Sequence, residues 1–324
     1  MATAVITGIT GFVGGHLAEH LLAEGYKVVG LGPQQAWEPW TPPKVQEQVE
    51  LWAWDFRLAS VVPEKVEEYL REFAPSAIFH LAAISVPDQC GLQQPTEEAW
   101  EVNVLGTAEV LRLAERLPGP PRVLFTSSSH VYAPVLAESP KVDESWPTLP
   151  RSAYARTKLA AEHLASEALE QGKPVIVVRA FHHTGPRQRP PMFLPQWVQQ
   201  LVENQCAELF VYTREAYFDL SDVRDVVRAY RLLVEKAPPG IYNVGSGQKR
   251  QSGELAELLL KLAGQSRQIV ETRPGVLQEP IANIDRLVKA TGWIPQINIE
   301  QTLLDTLRWW QDHAKAASGG KGHS

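Results

Sequence analysis

Short apolar runs alternate with amphipathic stretches through the first half of the chain. The runs fall at 4–7, 27–31, 50–54, 77–82, 123–127 and 175–179. They are almost continuously apolar, the pattern of parallel strands covered on both faces. Between them, 12–24, 63–73, 96–117 and 153–171 carry helical periodicity. Pro63 ahead of a glutamate-rich segment is a helix start, and so is Thr96 before Glu97-Glu98. Strand–helix alternation of this kind predicts an α/β protein with a Rossmann-type doubly wound parallel sheet.

The rhythm loosens after Arg179. Pro186, Pro190, Pro191 and Pro195 interrupt the chain; helices are predicted at 192–204, 222–236, 252–263 and 302–315, with a strand at 241–244. The expected division is a dinucleotide-binding domain of residues 1–179, joined by 216–247, and a smaller discontinuous substrate lobe of 180–215 and 248–313. Residues 314–324, small and polar toward their end, are expected to be disordered. Trp37, Trp40, Trp52 and Trp54 form either an aromatic platform or packing for the loop beside the second and third strands; packing is the reading favoured. The glutamates between 64 and 72 are read as a solvated helix face.

At 324 residues the chain is long enough for two domains and a core that needs no covalent staples. Two cysteines, Cys90 and Cys206, make no disulfide framework and no cysteine-built zinc site, and the nine histidines show no metal-site spacing. A net charge of −6 leaves no basic excess for general binding to nucleic acid or an anionic membrane. No apolar run approaches the roughly 20 residues of a spanning helix. The opening Met1-Ala2-Thr3-Ala4-Val5 lacks the basic flank of a signal peptide, so a cytoplasmic protein is the expectation.

Gly8-Ile9-Thr10-Gly11-Phe12-Val13-Gly14 joins the first strand to the first helix. Gly8 permits the tight turn, Gly11 lets the backbone approach a pyrophosphate, and Gly14 allows close helix–strand packing. The helix N-terminus adds unpaired N–H groups and a positive dipole end. The second strand ends Gly30-Leu31-Gly32-Pro33 without the carboxylate that holds an NAD ribose and without an arginine for a 2′-phosphate, so NAD and NADP both stay open. Asp55 and Phe56, just past the third strand, are candidates for the adenine edge, or else an ordinary strand-end acid and a core ring.

Tyr154 and Lys158 stand four apart on one face of a predicted helix. A phenol with a reference pKa near 10 needs a neighbouring cation to act in proton transfer at neutral pH, and the lysine supplies it. Thr126-Ser127-Ser128-Ser129 ends the fifth strand, at the sheet edge where ligands bind, so a hydroxyl there can hold the oxygen whose proton Tyr154 handles.

Gly8-x-x-Gly11-x-x-Gly14, His80-Leu81-Ala82-Ala83, Asn103-Val-Leu-Gly106-Thr107, Ser128 before Val131-Tyr132, and Tyr154-x-x-x-Lys158 occur in this order. In that set the chain resembles the extended short-chain dehydrogenase/reductase family, the NAD-dependent epimerases and dehydratases, as far as about His313. Within the family, the segments 179–186 and 219–225 look most like those of GDP-6-deoxy-D-mannose reductases. The resemblance implies a Ser128–Tyr154–Lys158 triad, with Ser127 and Ser129 as alternatives to Ser128. It also implies a cofactor, NAD or NADP, bound by Gly8, Thr10, Gly11, Phe12, Val13, Gly14, Asp55, Phe56, Leu81, Ala82, Ala83, Tyr154, Lys158 and Phe181. Ser85, Ser128, His182 and Arg273 would meet the substrate. The implied reaction is reduction of a 4-keto nucleotide sugar, GDP-4-keto-6-deoxymannose-like. The alternatives are a nucleotide-sugar 4-epimerase of the UDP-glucose type and a dinucleotide-sensing regulator without catalysis. A homodimer through a four-helix bundle of 96–117 and 153–171 is also implied.

The departures matter too. Ser129-His130 stands where dehydratase relatives carry Asp-Glu, which argues against 4,6-dehydration. His182 replaces an asparagine and Phe218 a diphosphate-gripping arginine, while Arg273 matches a second such arginine, with Arg187 and Arg189 as further bases. His130 lies where related GDP-fucose synthases place an acid/base cysteine; it is either a second acid/base or a packed strand-end histidine. His80 is read as structural.

Overall fold

A computed structural model describes residues 2–58, 61–203 and 206–319. The first half alternates β1 (Thr3–Thr7), α1 (Phe12–Ala23), β2 (Lys27–Gly32), α2 (Pro43–Gln48), β3 (Glu50–Ala53), α3 (Glu64–Phe73), β4 (Ala77–His80), α4 (Glu97–Trp100), α5 (Gly106–Arg116) and β5 (Arg122–Ser128). Then come β6 (Lys141–Val142), α6 (Ala153–Glu170), β7 (Val175–Ala180), β8 (His182–Thr184), α7 (Phe193–Glu203), β9 (Glu208–Val211) and β10 (Glu215–Asp222). The chain continues through α8 (Val223–Lys236), β11 (Gly240–Val244), β12 (Lys249–Gln251), α9 (Ser252–Leu262), β13 (Gln268–Glu271), β14 (Val276–Gln278), β15 (Ile281–Ala282), α10 (Asp285–Thr291) and α11 (Ile299–Gly319).

The large sheet has seven strands in the order β11-β7-β5-β4-β1-β2-β3, and every pairing in it is parallel. Strand order reverses between β1 and β4, so a crevice opens at their carboxyl ends, where Gly8 follows β1 and Leu81 follows β4. One apolar layer, with Leu17, Leu21, Tyr230 and Trp293, covers one face; another, with Phe125, Val110, Leu113 and Ala161, covers the other.

The second half supplies a smaller sheet in which β10 pairs with β12, β14 and β8. It packs with α7, α9 and α11 around Trp197, Leu259 and Leu307. Two boundaries differ from the sequence division. Residues 216–222 belong to the small sheet, because β10 finds its hydrogen-bonding edges there. Residues 285–293 return to the large domain: Leu287 and Trp293 are buried in its core, and the Trp293 indole N–H donates to the Asp225 carbonyl at 3.0 Å. The expected tail is also corrected, since α11 runs on to Gly319 through the alanine-rich 314–317 segment, which favours helix. Residues 320–324, Met1 and Asn204 lie outside the described residues.

The predicted 96–117 helix is broken into α4, a π-helical turn at Glu101–Leu105, and α5. That turn carries Asn103, 1% exposed, toward α6.

Glu162 and Arg179 form a buried ion pair between α6 and β7, with Arg179 Nη2 2.6 Å from Glu162 Oε1. Arg179 also donates to the Glu144 carbonyl at 2.9 Å. Arg179→Met leaves the Glu162 carboxylate buried without its countercharge and is expected to lower stability by about 3–5 kcal/mol, read as a drop in the urea midpoint.

Candidate active site

The glycine turn is sterically committed. Gly8 has φ +70°, and a Cβ there would come 2.8 Å from Ala82 Cα; a Cβ on Gly14 would come 2.2 Å from the Gly8 carbonyl oxygen. The turn therefore packs directly on the first helical turn and on the strand-end segment Leu81–Ala83. Gly11 caps α1 without a side-chain bond, and the first turn holds no acidic residue, so nothing within the turn neutralises its positive end. Thr10, Phe12 and Val13 are half-buried around it, and Gly11 is exposed. These features fit a dinucleotide pyrophosphate lying on the turn.

The remaining cofactor candidates divide. Leu81, Ala82 and Ala83 line the crevice, half-buried, and the Ala82 N–H donates to Thr7 Oγ1 at 3.2 Å. Asp55 is held by Arg57 at 2.7 Å, which keeps its carboxyl below the usual range. Phe56 is 6% exposed, with its ring centroid 4.5 Å from that of Trp54 and 5.9 Å from that of His80. Its ring therefore fills core. Phe181, at 2% exposure, packs with Tyr132, Val142 and Ala282, so its ring is likewise part of the core. His80 bridges Thr7 at 2.7 Å and Thr107 at 3.0 Å, and burial lowers its pKa to about 3, so it sits neutral as a structural link. Of the tryptophans, Trp54 is buried, Trp52 packs on Tyr69, and Trp40 lies under the Arg189 guanidinium at 4.0 Å.

Ser128, Tyr154 and Lys158 are brought together at the carboxyl edge. Among the three adjacent hydroxyls, Ser128 is the one close enough to act on the Tyr154 phenol, whereas Ser127 donates to Glu162 at 2.5 Å. The difference follows from strand alternation, which points neighbouring residues to opposite faces. Burial pushes the Tyr154 phenol up to about 12, against the opposing effect of Ser128. At neutral pH it is protonated. Burial also lowers Lys158 to about 8. Its Nζ lies 5.0 Å from the Phe125 ring and has no hydrogen bond among the described residues. A buried ammonium with free donors suits a ligand's hydroxyls.

Two participants escaped the sequence reading. Asn103 accepts from the Ile84 N–H at 2.8 Å and donates to the Ile84 carbonyl at 3.0 Å and to Thr157 Oγ1 at 2.9 Å. It thereby ties α6 to the segment after β4. Its motif was visible; its role needed the π-helical turn. Glu279, just past β14, is hydrogen-bonded to His182 Nε2 and lies 3.9 Å from His130 Nε2. No local sequence signal marks it.

His130 meets Tyr154 edge to face at 6.0 Å and His182 at 5.2 Å. Burial and the neighbouring His182 lower the His130 pKa. Burial would lower His182 as well, but Glu279 outweighs it and raises His182. Burial would raise Glu279, yet His182 holds it down at about 2. Phe218, 5% exposed, packs on His182 and Phe193. Ser85 is exposed. Arg273 is exposed on the β13–β14 connection with its guanidinium 5.1 Å over Tyr212. Arg187 is not a free base: it binds His16 at 2.6 Å and pairs with Glu19.

Residues 4–245 match the model of the NAD dependent epimerase/dehydratase family. The chain is 31% identical to the GDP-6-deoxy-D-mannose reductase of Pseudomonas aeruginosa, covering 96% of this chain and 97% of the relative. It is 26% identical to the UDP-glucuronate 4-epimerase of Thermodesulfobacterium geofontis, covering 97% of each. Among solved structures it is similar to RMD from Pseudomonas aeruginosa complexed with NADPH (TM-score 0.79, 29% identity, 97% and 98% covered). It is also similar to the UDP-glucose 4-epimerase of Thermus thermophilus in complex with NAD (TM-score 0.82, 26% identity, 95% and 99% covered).

Lys158 titrates near 8 in the fold against 10.5 ordinarily. Across that window the unfolded chain binds the extra proton, so this group makes the ligand-free fold more stable as pH rises. Urea midpoints of the wild type and of Lys158→Met, compared below and above the window, should converge at high pH, with the variant the more stable at low pH.

Proposed function

We propose that this chain, which belongs to the NAD dependent epimerase/dehydratase family and is an NAD(P)-dependent extended short-chain dehydrogenase/reductase, is a reductase of a 4-keto nucleotide sugar. A GDP-4-keto-6-deoxymannose-like substrate fits the reading best. The observation that carries it is the placing of Tyr154 and Lys158, four apart on α6, beside Ser128 at the end of β5, with burial holding the phenol protonated. The 31% identity to a GDP-6-deoxy-D-mannose reductase over nearly the whole chain supports the substrate class. Ser129-His130 after the catalytic serine places no carboxylate pair there for elimination of water.

The cofactor is NAD or NADP; when bound in reduced form it supplies the hydride. The turn from Gly8 to Gly14 and the Lys158 ammonium are the residues that would hold it. Ser128 Oγ orients the substrate oxygen. Tyr154 Oη gives that oxygen its proton, and the Lys158 ammonium stabilises the phenolate left behind. Asn103 keeps α6, and with it both groups, in register with the segment after β4. Phe218 offers no charge to a diphosphate, which leaves the exposed Arg273 to meet that part of the substrate. A homodimer through α4, α5 and α6 belongs to the same reading, with Trp100 and Leu105 each 42% exposed on that side; light scattering should give twice the monomer mass.

Purified protein given NADPH or NADH and GDP-4-keto-6-deoxymannose should oxidise the cofactor and form GDP-6-deoxymannose. Tyr154→Phe should lower kcat by about 10²–10⁴-fold while leaving cofactor affinity within a few-fold. Interconversion of UDP-glucose and UDP-galactose without added cofactor would instead identify a 4-epimerase.

A further inference from the structure

Beside the Tyr154 phenol, three side chains from distant parts of the sequence turn their donor atoms toward one point. His130 comes from the turn after β5, His182 from the start of β8, and Glu279 from the residue following β14. Their donor atoms all lie within 4.8 Å of one another. His182 Nε2 contacts Glu279 Oε2, and His130 Nε2 reaches the same oxygen at 3.9 Å. Neither ring nitrogen of His130 has a hydrogen bond among the described residues, although the residue is half-buried. The ring is therefore aimed at Glu279 without being satisfied by it.

We propose that His130, His182 and Glu279 form a binding site for a divalent transition-metal ion, with an open coordination position facing the sugar crevice. Two imidazoles and one carboxylate are a donor set known to hold catalytic zinc, and three protein ligands leave the fourth position to an exchangeable oxygen. Metal bonds of about 2.0–2.2 Å set tetrahedral ligands about 3.3–3.5 Å apart. The separations here exceed that by little more than an ångström, which side-chain torsions can close. Imidazole donors favour zinc, cobalt, nickel or iron over magnesium or calcium, which prefer all-oxygen shells. The surroundings help fix the ligands. Phe218 packs edge-on against His182 at 5.6 Å, and the Tyr154 ring does the same for His130. The backbone of β8 is held by β10, with His182 in register with Leu220.

The site joins the large domain, through His130, to the small sheet, through Glu279. An ion there would tie the two units together and place a Lewis acid next to the Tyr154 phenol. Its open position would take an oxygen of the substrate, a class of ligand that rests on the function proposed above. Metal binding itself does not, so it is measured with neither cofactor nor sugar present.

Full-length protein stripped with chelator and dialysed is titrated with Co²⁺ alone, following the visible d–d bands of low-coordinate cobalt. Wild type should bind one ion per chain saturably, with zinc displacing it and magnesium failing to do so. Glu279→Gln and His182→Ala should each weaken binding at least about 100-fold, since even a second-shell partner is worth roughly 10–100-fold. His130→Asn, at the most exposed of the three positions, guards against variants that fail to fold, and should weaken binding by a comparable factor. Zinc should raise the Tm of wild type and leave that of Glu279→Gln unchanged. Absence of d–d bands and of a Tm shift in wild type would overturn the proposal, as would binding that survives all three substitutions. The cluster would then be a proton-bridged histidine–glutamate pair, and the reductase reading would be unaffected.

Discussion

A helix that turns polar residues toward a buried sheet must satisfy each of them individually, and α6 is such a helix. Tyr154, Thr157, Lys158 and Glu162 recur at three- and four-residue spacing and so share one side. Each would cost free energy if left unpaired away from water. Tyr154 stands beside Ser128, Thr157 bonds Asn103, and Glu162 bonds both Ser127 and Arg179. Lys158 alone of the four has an apolar ring in place of a hydrogen-bond partner. The arrangement of the crevice follows from these pairings, because together they anchor α6 to β5, to β7 and to the π-helical turn that carries Asn103. The residue left over faces the place where a ligand can complete it.

The same requirement explains the irregularity before α5. A regular helix through 96–117 would advance by about 100° per residue without a break. The π-helical turn at Glu101–Leu105 inserts an offset, and Asn103 uses it to bond Ile84 on one side and Thr157 on the other. A local departure from helical geometry is offset by three hydrogen bonds, and it holds α6 to the segment after β4.

The smaller sheet closes the crevice by a similar device. Asp219, fully buried in β10, accepts from the N–H groups of Ser246, Gly247 and Ala282 at 2.7–3.1 Å. Burial raises its pKa, while these donors oppose the shift. Backbone segments from separate parts of the chain are thereby fixed around one carboxylate. The strand β14 runs beside β10, and Glu279 follows it to face His182 and His130. The position of Glu279 depends on that sheet and on nothing in its own sequence neighbourhood.

Much was legible in the chain itself because it depends on neighbours in sequence. Apolar runs marked the strands of the large sheet, the three glycines marked a turn too tight for side chains, and the four-residue spacing of Tyr154 and Lys158 placed them on one helix face. Those are consequences of backbone periodicity and steric size. Other features were decided by contacts between residues distant in sequence. Strand alternation and the approach of α6 selected Ser128 over Ser127. Core packing buried the rings of Phe56 and Phe181, and Glu19 took up Arg187. The small sheet claimed β10, and 285–293 went back to the large domain. Glu279 meets the two histidines through the pairing of β14 with β10, since the partner of a buried charge is set by which strand finishes beside it.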